Sequence, residues 1–185
     1  EFFGGTVNAS HLLVWAQGDD ALDIDQAYSG TIDNAVVVLG TNSDHAFEID
    51  GPEGTATGSF TLKNVTIVGN SVTENGEYAD YRSGATGTTE NIYAYGFKDT
   101  SDVELDNDGV ATNYNDGLLT FGAWEIVLPD GVSEVADIFV NKAETVDVSG
   151  FGSTATAVSE GASTVGATTS LLSWTYANTK AGLGF

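Results

Sequence analysis

Cysteine and methionine are absent from the 185 residues, and proline occurs only twice. Without cysteine there is no disulfide scaffold and no thiolate metal centre. Basic residues are scarce: 5 Lys and Arg stand against 27 Asp and Glu, a formal net charge of −22. Such a surface repels nucleic acid and anionic membranes, so neither is an expected partner. No stretch approaches the roughly 20 apolar residues of a transmembrane segment. No signal peptide opens the sequence. Glu1-Phe-Phe-Gly-Gly reads as the inside of a domain, which predicts a processed chain or a piece of something longer.

What is present points to β structure. Glycine occurs 23 times, among many Thr, Val and Ser, and hydrophobic residues make up 41%. That is too apolar for a disordered acidic tail. β-branched residues favour strands, and glycine favours tight turns. The length suits one domain with a real core.

The stretch Gly18-Asp-Asp-Ala-Leu-Asp-Ile-Asp25 contains strict apolar/acidic alternation, the period of a half-buried strand. The pattern returns as Phe47-Glu-Ile-Asp50, Ala79-Asp-Tyr-Arg82 and Val103-Glu-Leu-Asp106, and Glu1-Phe2 begins inside a copy. Gly-Thr or Gly-Ser steps at Gly5, Gly30, Gly58 and Gly87 precede apolar runs that start at Leu12, Val36, Val65 and Ile92. Asn34, Asn64 and Asn91 stand before three of these runs, and His11 before the first. A unit of Gly-Thr strand, apolar strand, turn and acidic strand cannot bury its apolar face alone, but stacked copies can. The expected fold is all-β: a right-handed parallel β-helix, a solenoid with inward ladders of Val, Ile, Leu and Phe. Stacked Asn amides would bond from one coil to the next. An antiparallel sandwich also uses short strands but does not require this register to recur.

The regular coils are expected over 1–110. Residues 111–185 are expected to supply irregular C-terminal strands, a loop over 149–166 and a short capping helix. That helix would be N-capped by Ser170, bury Leu171 and Trp174, carry Lys180 in its last turn, end at Gly182 and cover the open end of the stack.

Stacking sets equivalent residues about 4.8 Å apart. One outward row is then Glu1, Asp23, Glu48, Asp80 and Glu104, and the next is Phe3, Asp25, Asp50, Arg82 and Asp106. Unscreened like charges at that spacing cost on the order of 1 kcal/mol per pair even in water. Arg82 offers one relief and protonation another. Calcium is the third, held by Asp23, Asp25, Glu48, Asp50, Asp80, Glu104 and Asp106 as hard oxygen ligands. A wet acidic face that merely maintains solubility is the plainer alternative. Asp102–Asp108 and Asn113–Asp116 are also rich in oxygen ligands, but neither matches an EF-hand loop.

Long motifs carry a family resemblance. They include Glu1-Phe-Phe-Gly-Gly-Thr-Val-Asn8, Trp15-Ala-Gln-Gly-Asp-Asp20, Asp23 to Asn34, Ser43-Asp-His45, Glu48 to Gly54, Gly76 to Arg82 and Trp174-Thr-Tyr-Ala177. Together they resemble an uncharacterised family of secreted, often lipoprotein-like, pectin-lyase-like β-helix proteins of Bacteroidetes, in its C-terminal portion. The resemblance implies a secreted or cell-surface, outer-membrane-associated module, and it brings no catalytic residue. A shorter likeness, in Asp19-Asp20, Asp44-His45 and Tyr81-Arg82, is to polygalacturonase-type glycoside hydrolases. It implies Asp19 and Asp20 as carboxylates for inverting hydrolysis, His45 as a proton relay and Arg82 as an anchor for an acidic sugar. The chain departs from that pattern: Gly84 stands where a Lys is expected, and the upstream Asp would precede Glu1. The expected role is therefore a structural or binding module stabilised by calcium, with a carbohydrate-active hydrolase or its carbohydrate-binding descendant as the alternative. A polysaccharide is the expected ligand. Trp15, Tyr93 and Tyr95 would serve as a stacking platform or as coil packing. Further coils, or a docked protein chain, are expected to cover the Glu1 edge.

Overall fold

The computed structural model describes residues 1–71 and 76–185. The chain passes back and forth between two parallel sheets. The first has six strands: β1 (Phe2–Phe3), β3 (Leu22–Asp25), β5 (His45–Asp50), β7 (Glu77–Arg82), β9 (Val103–Leu105) and β12 (Phe139–Asn141). The second has seven: β2 (Ala9–Trp15), β4 (Thr31–Val38), β6 (Phe60–Val68), β8 (Gly87–Tyr95), β10 (Leu119–Phe121), β11 (Trp124–Ile126) and β13 (Ala155–Ala157). Each inner strand pairs with the strand from the circuit before and the circuit after, in the order the acidic repeat requires.

The register follows the alternation. Ile24 pairs with Ile49, Ile49 with Tyr81, and Tyr81 with Leu105, all in parallel and all buried. Asp23, Glu48, Asp80 and Glu104 fall in one outward row. The Tyr81 hydroxyl is satisfied inside the core, 2.7 Å from the Thr89 hydroxyl.

The long strands of the second sheet bend at one residue each. His11, Asn34, Asn64 and Asn91 all have φ between 56° and 60°, and pairing resumes beyond them without a slip. Asn tolerates this left-handed conformation better than most residues with a Cβ, which explains its recurrence. The bend resets the alternation, so Ile32, Ala35 and Val37 all point inward, as do Leu62, Val65 and Ile67. The amide stack is only partly as expected. Asn91 Nδ2 donates to Asn64 Oδ1 at 3.0 Å, but Asn64 Nδ2 turns aside to Asp33 Oδ1 at 2.7 Å.

After β9 the repeat is harder to see because the strands shorten to three residues, yet both sheets run on through β12 and β13. A helix, α1 (Asp108–Asn115), stands where the sequence shows only turn residues. Asn107 caps it, accepting from Gly109 N and Val110 N. The expected loop over 149–166 contains β13.

The C-terminal segment departs most from expectation. It runs back across the outer face of the second sheet instead of over the end of the stack. Gly161 N donates to the Tyr93 hydroxyl on β8, Ala167 N to Thr66 on β6, and Thr168 N to Asn34 on β4. A 3₁₀ turn at Thr169–Leu172 then buries Leu172 against Val36 and Val38. Because Ser170 lies inside that turn, the N-cap of α2 (Tyr176–Ala181) is Thr175. Gly182 does end the helix, at φ 64°. The expected buried stripe is reversed, since Leu171 and Trp174 are exposed. No helix among the described residues is long and apolar enough to cross a membrane.

Candidate functional site

The outer face of the first sheet gathers the chain's charged chemistry. At one side, Asp20 precedes β3 and His45 opens β5. His45 Nδ1 lies 2.7 Å from Asp20 Oδ1, and the His45 amide donates to the same oxygen at 3.0 Å. Asp44 Oδ2 stands 4.0 Å from the ring. Burial alone would raise Asp20, but the two bonds from His45 outweigh it and hold the carboxyl below its ordinary range. Burial alone would lower His45, but its bond to Asp20 and the nearby Asp44 and Asp80 raise it. Asp20 and His45 thus form a closed hydrogen-bonded pair, with opposite charges when His45 is protonated. Asp19 and Asp44 are exposed beside it, and the Asp44 amide donates to Asp19 O.

Arg82 ends β7 in the middle of the acidic rows. Its guanidinium bonds Glu48 and stands 3.7 Å from Asp50. Its Nε is 2.9 Å from Asp80 but is not aimed to hydrogen-bond it. Asp80 is buried, and burial, aided by Asp106 and Asp50, raises its carboxyl to about 6 against the pull of His45 and Lys142. Burial likewise raises Asp23 to about 6, with Glu1 adding, and Asp50 is raised by burial despite a bond from Ser83.

Lys142, just beyond β12, is a second counter-ion that the sequence does not reveal. It bonds Glu104 and lies 3.5 Å from Asp102. Only the pairing of β12 with β9 brings it there. Glu77, across from His45, meets Asp102; burial first and Asp102 second raise it to about 7.

Among the described residues, four groups of side chains have ligand atoms close enough to share an ion: Asp19, Asp20 and Asp44; Asp80, Glu104 and Asp106; Glu77, Asp102 and Glu104; and Asp20, His45 and Glu48. The first three offer only carboxylate oxygens, the donor set that suits calcium. In the second, Asp80 Oδ1 is buried without a hydrogen bond. Of the ligands expected from the sequence, Glu48, Asp80, Glu104 and Asp106 belong to such groups, while Asp23, Asp25 and Asp50 belong to none among the described residues. Asp19, Asp20 and His45 do come together, and Arg82 lies next to them, bonded to Glu48, which clusters with Asp20 and His45. Of the aromatic platform only Tyr93 and Tyr95 lie side by side, and Trp15 is three strands away from Tyr95 in its outward row.

Parallel strands stacked in two sheets, with a buried aliphatic and aromatic interior and a carboxylate-rich outer face, define a β-helix-type protein. Residues 1–179 match the model of the pectate-lyase-like beta helix domain, and the chain belongs to that family. No curated protein and no solved structure matches it.

Proposed function

We propose that the chain is a carbohydrate-binding β-helix module, a right-handed solenoid, that works in secreted form or at the outer-membrane surface and performs no hydrolysis. The observation that carries this reading is the state of the residues a hydrolase would need. Arg82 is spent on Glu48, Asp80 and Asp50, so it is not free for an acidic sugar. Asp20 is ionised and locked to His45, whereas a general acid needs a raised pKa. Membership of a pectate-lyase-like family supports carbohydrate as the ligand class. The fit of hard oxygen donors supports calcium at Asp19, Asp20 and Asp44, where Asp19 and Asp44 are exposed and no Lys or Arg forms an ion pair among the described residues. A cation there would give a polysaccharide an attachment point on a surface of charge −22. At the other end of the sheets, the outer edges of β1 and β2, with Phe3 and Val7 exposed, suit pairing with further strands or a docked chain.

The test combines retention on polysaccharide gels with an assay for released reducing ends. Retention should require calcium, disappear with chelator and in Asp44→Asn, and be accompanied by no release. Release of reducing ends that Asp20→Asn abolishes would establish the hydrolase instead.

A further inference from the structure

The C-terminal arm does not seal the second sheet completely. Between them lies a cleft of about 240 Å³ lined by Thr66, Tyr93, Tyr95, Gly161, Ser163, Val165, Ala167, Thr169 and Phe185. It lies on the opposite sheet from the acidic face. No charged side chain lines it, in a chain with 27 acidic residues, and residues 161–185 contain no Asp or Glu at all.

The lining has a definite chemistry. The Tyr93 and Tyr95 rings are 5.1 Å apart and tilted by 31°, giving two adjoining aromatic faces. The Tyr93 hydroxyl accepts from Gly161 N at 3.1 Å, so its position is fixed and its proton is free to donate. The Tyr95 and Thr169 hydroxyls have no protein partner among the described residues. Burial, with Tyr93 and Glu160 adding, raises the Tyr95 phenol, which keeps it a neutral donor. An anionic ligand entering here would lose hydration with no Lys or Arg in the lining to replace it, and Glu160 nearby would repel it. A neutral ring with apolar faces and hydroxyl edges would find both aromatic faces and hydroxyl partners. Ligand pockets usually measure about 300–1,000 Å³, so this cleft suits one ring and not an oligomer.

We propose that the cleft between the C-terminal arm and β8 is a binding subsite for a single neutral sugar ring, with Tyr95 and Thr169 as its recognition residues. The proposal rests on the carbohydrate-binding reading and adds a second site, chemically opposite to the acidic face. Saturation-transfer NMR with the methyl glycosides of glucose, galactose and mannose, and with galacturonic acid, tests it on the full chain. At least one neutral glycoside should bind, and galacturonic acid should bind about tenfold more weakly or not at all. Tyr95→Ala should weaken the neutral glycoside about tenfold, and Thr169→Val should weaken it by a smaller factor. Tyr95→Phe keeps the ring and serves if the alanine variant fails to fold; it should lose the hydroxyl's share alone. Absence of binding by every neutral glycoside overturns the proposal, as does full affinity in folded Tyr95→Ala. Polysaccharide retention that is lost in Asp44→Asn, with no neutral glycoside bound by the unaltered protein, would sink the subsite and leave the carbohydrate-binding reading standing. Loss of all retention by the unaltered protein would sink that reading itself.

Discussion

Replacing Arg82 by Met tests whether the acidic face is held by internal cations. Arg82 reaches Glu48, Asp80 and Asp50, and the Asp80 side chain is 8% exposed. Removing one partner of a fully buried pair costs about 3–5 kcal/mol. The Arg82 side chain is 32% exposed, so solvent screens part of the interaction. The expected loss is about 2–3 kcal/mol at pH 8. The pH dependence is the diagnostic part. Asp80 is raised from 3.8 to about 6 in the folded state, so that state binds more protons across this window. Its contribution to stability is greatest below the unfolded value and falls as pH rises through the folded one. Without Arg82 the carboxyl moves higher still. At pH 5, below the folded value, Asp80 is already largely protonated in both proteins and needs no counter-ion. The loss should therefore shrink at pH 5, by at most about 3 kcal/mol for a shift of this size. Urea unfolding of both proteins at pH 5 and pH 8, with calcium and with chelator, reads the difference. Calcium should restore more stability to the variant than to the parent, because a ligand of the folded state stabilises by mass action. Equal losses at the two pH values would refute the claim that Arg82 and the Asp80 proton serve the same electrostatic need.

How far the sequence revealed this arrangement depends on the range of each signal. The first sheet was legible because Leu-Asp-Ile-Asp and Phe-Glu-Ile-Asp carry their register in every residue: a slip by one would bury the carboxylates. The bends were legible as recurring Asn, though not as left-handed φ values. All four residues of the apolar run Val36-Val-Val-Leu39 are buried, but Val36 and Val38 face outward beneath the arm. A continuous apolar run signals a strand covered on both faces, and that signal pointed to a covering segment without naming it. The arm itself was hidden because its anchors, Thr168 to Asn34 and Thr164 to Glu125, join residues far apart in sequence. Lys142 was hidden for a related reason. Helix α1 and the following strands shift the repeat, so the row that Lys142 closes is visible only through pairing of β12 with β9. Helix α1 buries only Val110 and Ala111, too few residues to show a helical period.

Ile49→Ala empties the centre of the first sheet's inward ladder and should cost about 2–5 kcal/mol in urea unfolding; a loss below 1 kcal/mol would contradict its complete burial. His45→Gln should destabilise most between about pH 4 and 6.5. Asp20 is depressed, so its share fades as pH falls through its folded value; His45 is raised, so its share fades as pH rises through its own. A difference that does not vary with pH would show that the pair is not ionic. Leu172→Ala asks whether the arm is a separable layer. Leu172 is buried against Val36 and Val38, apart from the main interior, and burial of this kind is worth about 2–5 kcal/mol. The polar anchors at Tyr93, Thr66 and Asn34 join the arm to the sheet's outer face and not to its core. The loss should therefore appear as local opening, with the sheets still folded. Limited proteolysis should cut the variant within residues 159–185 faster than the parent, while amide exchange in β4 to β8 stays slow. Unfolding of the sheets together with the arm, with uniform acceleration of exchange, would show that the arm and the inner core form one cooperative unit.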